Sequence, residues 1–172
     1  IDFLIDQFDK SGVFHVILSG GEPLSKYKEL CYMLEQLTKR NISTSINSNL
    51  MLATPEKMEK LKELGADHVL TSWFSYFPNE TDDITTYKGS FKKIVDGIKT
   101  TIAAGIRVSA NTICTQHNKG TIYQSGKFLN SLGVSQFFAH RVIPPAYDRK
   151  DKDNQHYITR EQALETLDDL LR

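Results

Sequence analysis

Residues 16–24 read VILSGGEPL, a branched apolar run that stops at Ser19 and is followed by Gly20, Gly21, Glu22 and Pro23. Glycines let the backbone turn sharply and let a ligand approach main-chain N–H and C=O groups. Glu22 is an acceptor-only group, suited to a cationic amine. Pro23 stiffens the exit, so the loop keeps its shape without a ligand. The same residues also read as a plain strand-to-helix turn with an exposed glutamate.

Other polar residues fall in comparable places. Asn47-Ser48-Asn49, Ser72-Trp73, Asn111 with Thr115, and His140-Arg141 lie at the ends of apolar runs. In parallel α/β proteins, ligands bind beyond the carboxyl ends of the strands, so these residues mark one polar rim. The opposite ends are expected to offer mostly Gly, Ala and aliphatic residues. Asn47 reads as a ligand contact or as a turn residue bonding its own backbone. Ser72 either faces a pocket or satisfies a loop. Asn111 lies in a β-branched run, where a polar side chain needs a partner that a pocket would supply. Arg141 either faces the rim or forms a surface ion pair. His140, beside it, either exchanges a proton or is structural, with no second ligand at metal spacing. Trp73, Phe74, Tyr76 and Phe77 either wall a substrate channel or pack their rings on the domain. Cys31 sits on an apolar helical stripe and reads as a packed thiol, and Cys114 as a small buried hydrophobe near the rim.

These residues need elements to hold them. Ile1, Leu4, Ile5 and Phe8 keep helical spacing up to Gly12, and residues 13–19 suit a strand. Tyr27, Leu30, Cys31, Leu34 and Leu37 form the apolar stripe of a second helix. Residues 42–47 form the next strand. Thr54-Pro55-Glu56 opens a third helix, which Gly65 closes. Residues 69–72 form a strand, followed by a polar stretch up to Gly89. Ser90 is expected to cap a helix carrying Phe91, Ile94, Val95, Ile98 and Ile102. A strand over 106–115, a helix over about 121–132 and a strand over 134–142 follow. Thr159 and Gln162 make a capping box for a final helix. Five strands separated by helical crossovers must run parallel. Whether that α/β sheet closes into a barrel is not legible in the periodicity.

Composition narrows the class. The 172 residues suit one domain with a substantial core. Lys plus Arg and Asp plus Glu are 21 each, so no net charge favours a nucleic acid. No apolar run approaches the roughly 20 residues that span a bilayer. The two cysteines form neither a disulfide framework nor a metal spacing, which favours a reducing, cytoplasmic setting. The chain begins at Ile1 in what reads as mid-helix, so it is expected to be a piece of something longer.

The motifs resemble a known family. GGEP after a strand in a βα array looks like the amine-binding motif of radical S-adenosylmethionine enzymes. NSNLML is similar to that family's Asn-Gly-Thr-Leu-Leu segment, and RVIPPA to its sixth-strand Arg-Val-Ile-Pro element. YKGSFKKIVDGIKTTIAAGIRVSANTICTQHN resembles a long family block ending in Asn-Thr and a following Asn. The resemblance covers nearly the whole chain in order and is closest to the branch that modifies peptides and proteins.

It implies a partial, TIM-barrel-like (βα)6 barrel truncated at its N-terminus, with residues 1–158 in the barrel and 159–172 a terminal or linker helix. It implies S-adenosylmethionine and a 4Fe-4S cluster whose ligands are not in this chain, together yielding a 5′-deoxyadenosyl radical that abstracts a substrate hydrogen. Gly20, Gly21 and Glu22 would hold the amino group of the cofactor's methionine part, with Pro23 shaping the loop. Ser72 would lie near its ribose or carboxylate, Asn111 at the next strand's polar position, and Arg141 in the strand that grips adenine. Asn47 joins them as a candidate. A peptide or small-molecule substrate, no nucleic acid or membrane, and a possible further C-terminal domain complete the expectation. The family's C-x-x-x-C-x-x-C motif is absent, its Ser-Leu-Asp-Gly appears as Ser72-Trp73-Phe74-Ser75, and its Arg-Gly as Lys88-Gly89. A degenerate barrel that binds without chemistry is the alternative; a flavodoxin- or Rossmann-like binder ranks last, for want of G-x-G-x-x-G.

Overall fold

The computed structural model describes residues 1–141 and 158–171. Its elements are α1 (Asp2–Lys10), β1 (His15–Leu18), α2 (Tyr27–Lys39), β2 (Ser43–Asn47), α3 (Pro55–Glu63), β3 (His68–Ser72), α4 (Pro78–Thr85), α5 (Ser90–Ala103), β4 (Arg107–Cys114), α6 (Ile122–Ser131), β5 (Gln136–Arg141) and α7 (Arg160–Leu171). Short 3-10 turns at Pro23–Lys26 and Lys119–Thr121 precede α2 and α6. The expected strand end at Val142, and the Val-Ile-Pro-Pro-Ala that follows Arg141, lie outside the described residues.

Sheet order is β1-β2-β3-β4-β5, and every neighbouring pair is parallel. An order that never reverses, joined by right-handed crossovers, winds the helices onto one face, as in a barrel. A doubly wound sheet would reverse its order and cover both faces. The fold is thus the parallel α/β arrangement of a partial barrel.

The core lies between the sheet and its helices. Leu18, Ile46, Val69, Val108 and Ala110 meet Leu34, Leu37, Met58, Leu61, Ile94, Ile98 and Leu129, all buried. Paired residues in a parallel sheet share a face, so the register assigns every strand side chain to a side. Ile17, Ser45, His68, Leu70, Ser72, Ser109, Asn111, Ile113, Phe138 and His140 share the helix-free face. That face stays open: Ile17 is 57% exposed and Phe138 42%.

Two expectations change. The strand beginnings are not aliphatic: His15, His68, Arg107 and Gln136 start or nearly start their strands. On the open face they build a polar belt. His15 Nδ1 and Nε2 contact the Ser43 and Ser45 hydroxyls at 3.0 and 3.1 Å. His68 Nε2 lies 2.9 Å from Ser109 Oγ, which donates to Gln136 Oε1 at 3.3 Å. The side-chain period of two aims these residues away from the helices, so the polar rim is one of two polar ends.

The polar stretch before Gly89 contains α4, which Pro78 opens at its first turn. Its Asp82 caps α5 in place of Ser90: the carboxylate accepts from the N–H groups of Gly89 and Phe91 and from the Ser90 hydroxyl. Those main-chain donors hold the Asp82 carboxyl below its ordinary range. The capping box of α7 forms as expected, with Thr159 N–H on Gln162 Oε1 at 2.9 Å and Gln162 N–H on Thr159 Oγ1 at 3.3 Å.

Candidate functional site

The glycine loop leaves β1 at Leu18 and passes into the turn that starts at Pro23. A Cβ built on Gly20 or Gly21 would meet nothing within 4 Å. Packing within this chain therefore does not demand glycine there; access to bare main chain is what glycine provides. The loop borders a cleft of about 530 Å³ whose walls include Leu4, Ile17, Leu30 and Met33.

Glu22 is not a loose surface carboxylate. Its Oε1 accepts from Leu24 N–H at 2.9 Å and from the Ser48 hydroxyl at 2.7 Å, and its Oε2 from Asn49 N–H at 2.9 Å. The plain-turn alternative therefore fails in its detail, because the side chain ties the β1 loop to the β2 loop. Oε2 receives a single protein donor and keeps acceptor capacity for a cation. Asn49 takes the turn role considered for Asn47, its Oδ1 accepting from Met51 N–H at 2.9 Å. Asn47 itself is half-buried.

Farther along the rim, Ser72 and Asn111 are paired across β3 and β4 and border a second cleft, of about 310 Å³, with Phe74, Ile84 and Ile113. Asn111 Oδ1 is buried without a hydrogen-bond partner. Such an atom normally costs folding energy, so it marks a position where an external donor would be accommodated. Asn118, 3% exposed, supports this cleft. Its amide nitrogen donates to the carbonyls of Phe74 (2.8 Å) and Ile113 (3.0 Å), and its Oδ1 accepts from Thr115 N–H (2.8 Å).

The aromatic run divides between its two readings. Trp73 is buried, with its ring centroid 5.5 Å from Phe91 and 5.7 Å from Phe128, and Tyr76 packs edge-on against Phe128 at 5.7 Å. Trp73 and Phe74 border the cleft, and Tyr76 and Phe77 do not. Arg141 pairs with Cys114, on the face opposite Asn111. His140 pairs with Ile113 on the open face and stacks on Phe138, centroids 6.3 Å apart. The register thus brings Ser72 and Asn111 together, keeps Gly20, Gly21, Glu22 and Pro23 as one loop, and turns Arg141 away.

The geometry suits a ligand carrying an ammonium and polar groups, whereas a cluster finds no ligand set here. Cys31 lies in α2 and Cys114 in β4, where burial pushes the Cys114 thiol up, away from the thiolate that ligates metals. Among the described residues no three His, Cys, Asp or Glu could hold a metal ion, and no helix is long and apolar enough to cross a membrane. Sequence reasoning set Ser48 on the rim and Asn118 at the end of the family-like block but gave neither a role of its own. Their only local signal was an Asn or Ser just past a strand, which most often means a turn.

Comparisons with known proteins bear on the family and the fold. Residues 1–123 match the Radical SAM superfamily. The chain is 28% identical over 111 residues to the PqqA peptide cyclase of Rhizobium meliloti (strain 1021), covering 64% of this chain and 29% of that protein. It is 30% identical over 117 residues to the GTP 3′,8-cyclase of Rhizobium etli (strain CIAT 652), covering 66% and 33%. It thus spans about a third of the length of these relatives. Native anSMEcpe with bound AdoMet and Kp18Cys peptide superposes with a TM-score of 0.75 at 16% identity, covering 99% of this chain and 50% of that one.

Proposed function

The chain belongs to the radical SAM superfamily, and from that premise we propose that it is the S-adenosylmethionine-binding part of an enzyme that abstracts a hydrogen from a peptide. The buried, partnerless Asn111 Oδ1 is the observation that carries the cofactor reading. It lies on the rim where parallel α/β proteins bind ligands, beside Ser72, and the glycine loop leaves β1 at the same end of the sheet. The Gly20 and Gly21 carbonyls and the spare capacity of Glu22 Oε2 would accept from the methionine ammonium. Asn111 Oδ1 would accept from a ribose hydroxyl or an adenine amine, and Ser72 would bond the same nucleoside. Asn47 and the main chain around Arg141 are the remaining contacts we assign. With a reduced 4Fe-4S cluster, bound S-adenosylmethionine would supply a 5′-deoxyadenosyl radical.

This chain's own work is to orient the cofactor and to keep water from it. Phe74, Ile84 and Ile113 give the second cleft an apolar wall suited to that task. The cluster's ligands are assigned to polypeptide outside these 172 residues. A peptide substrate is favoured by the relative named a peptide cyclase and by the peptide bound in the superposed structure. Residues 1–158 and α7 are read as one barrel unit, because Gln116 Nε2 donates to Gln162 Oε1 at 2.6 Å and Ile158 packs with Cys114 and Ile122. A cytoplasmic setting goes with the scarcity of cysteine.

A second reading, a barrel that binds the cofactor without chemistry, is favoured by the wide separation of Cys31 and Cys114. One experiment separates the two. The full-length protein is reconstituted anaerobically with iron and sulfide, reduced, and given S-adenosylmethionine with either a peptide library or GTP. Release of 5′-deoxyadenosine that rises with peptide supports the proposal. Binding without 5′-deoxyadenosine favours the second reading, and stimulation by GTP alone removes the peptide assignment.

A further inference from the structure

We infer that Ser48 is a positioning residue for the glycine loop, and that Glu22 acts chiefly as the strut between that loop and Ser48 rather than as a free counter-ion. The inference rests on the cofactor reading above and deepens it. Ser48 is 6% exposed, and both its N–H and its hydroxyl are engaged around this junction. Its main-chain N–H donates to Leu70 O at 3.1 Å, fixing it to β3. Its hydroxyl accepts from Leu50 N–H at 3.0 Å and gives its one proton to Glu22 Oε1 at 2.7 Å. Glu22 passes the constraint on through Leu24 N–H at the start of the turn and Asn49 N–H on the far side.

The far end of this chain of contacts is rigid. Leu50 is 1% exposed and holds φ of +58°, in the left-handed region where a leucine is strained. Helix α5 presses on it: a Cβ added to Gly97 would collide with the Leu50 carbonyl oxygen. Backbone packing at α5 is thereby transmitted through Leu50, Ser48 and Glu22 to the two glycines. Three donors on one carboxylate hold its charge in place, so the Gly20 and Gly21 carbonyls are presented to a ligand amine without reorganisation when it binds.

The test compares Ser48→Ala, and Ser48→Cys as a variant of similar size with a weak donor, in the full-length reconstituted protein. Dissociation constants are measured for S-adenosylmethionine and for methylthioadenosine, which lacks the amino-acid part. Both variants should weaken S-adenosylmethionine about tenfold, the usual scale for losing one buried charged hydrogen bond, and leave methylthioadenosine unchanged. Loss of both ligands in equal measure, or of neither, overturns the inference. Amide hydrogen exchange without cofactor gives the second readout. Leu24 and Asn49 should exchange faster in both variants while Leu34 and Ile98 keep their rates; unchanged Leu24 and Asn49 overturn the strut. If the unaltered protein binds no S-adenosylmethionine, the cofactor reading falls, and the exchange data still decide the strut.

Discussion

Asn118 Nδ2 donates to the Phe74 carbonyl at 2.8 Å, joining the loop after β4 to the loop after β3 across 44 residues of sequence. The same amide group reaches Ile113 O, and the opposite oxygen takes Thr115 N–H. One side chain therefore replaces a missing stretch of secondary structure between two loops that border the second cleft. Asn118→Ala should lower stability by about 2–3 kcal/mol, because it strands several buried polar groups at once. Urea unfolding checks this, and a loss under about 0.5 kcal/mol, the surface-substitution range, contradicts it.

Asn111 should behave in the opposite way. Its Oδ1 is buried with no partner, so removing it relieves an unsatisfied acceptor. Asn111→Ala is expected to leave the melting temperature unchanged or raised, while S-adenosylmethionine binding falls about five- to tenfold. A variant that loses stability and keeps binding would place the residue in the core instead.

Gly97 and Gly120 make a matched pair. A methyl group at Gly97 runs into main chain at Leu50, whereas one at Gly120 meets nothing within 4 Å. Gly97→Ala should cost about 1–3 kcal/mol by overpacking, and Gly120→Ala close to nothing. Denaturant midpoints of the two variants decide the matter.

The polar belt should give stability a pH dependence. Burial first, then Arg107 and His15, hold the His68 imidazole below its ordinary pKa of 6.5. Protonation is easier in the unfolded chain, so the unfolded state binds more protons as pH falls from the unfolded pKa toward the lower folded one. Stability from this group is complete above about pH 6.5 and is lost below it. The facing groups are His15 on β1, Ser45 on β2, and Arg107 and Ser109 on β4, so no carboxylate among them offsets the change. His68→Gln should flatten the pH profile of the melting temperature between pH 7 and pH 5; an unaltered slope removes His68 as its source.

Much of the architecture was legible because periodicity reports burial directly. Leu30, Leu34 and Leu37 repeat at helical spacing and all three are buried. Helix α4 was missed because its eight residues, PNETDDIT, carry little apolar stripe; it is held by Pro78 at its start and by Asp82 bonding into α5. The polar strand beginnings were misjudged for a related reason. His15 and His68 sit one or two residues from where the apolar runs suggested the strands start, and a one-residue shift moves a side chain to the other face.

The amino-acid order by itself determined the parallel α/β class, the βα succession and the family, since each depends on local spacing and on short motifs such as Gly20-Gly21-Glu22-Pro23. Only the tertiary structure decided which rim residues share a side. Asn111 and His140 lie on the open face and Arg141 on the helix face, and Glu22 spends its carboxylate on Ser48 and Asn49. Register and long-range hydrogen bonds join residues 26 to 44 positions apart. Their partners are chosen by how the strands stack, which no local window of sequence contains.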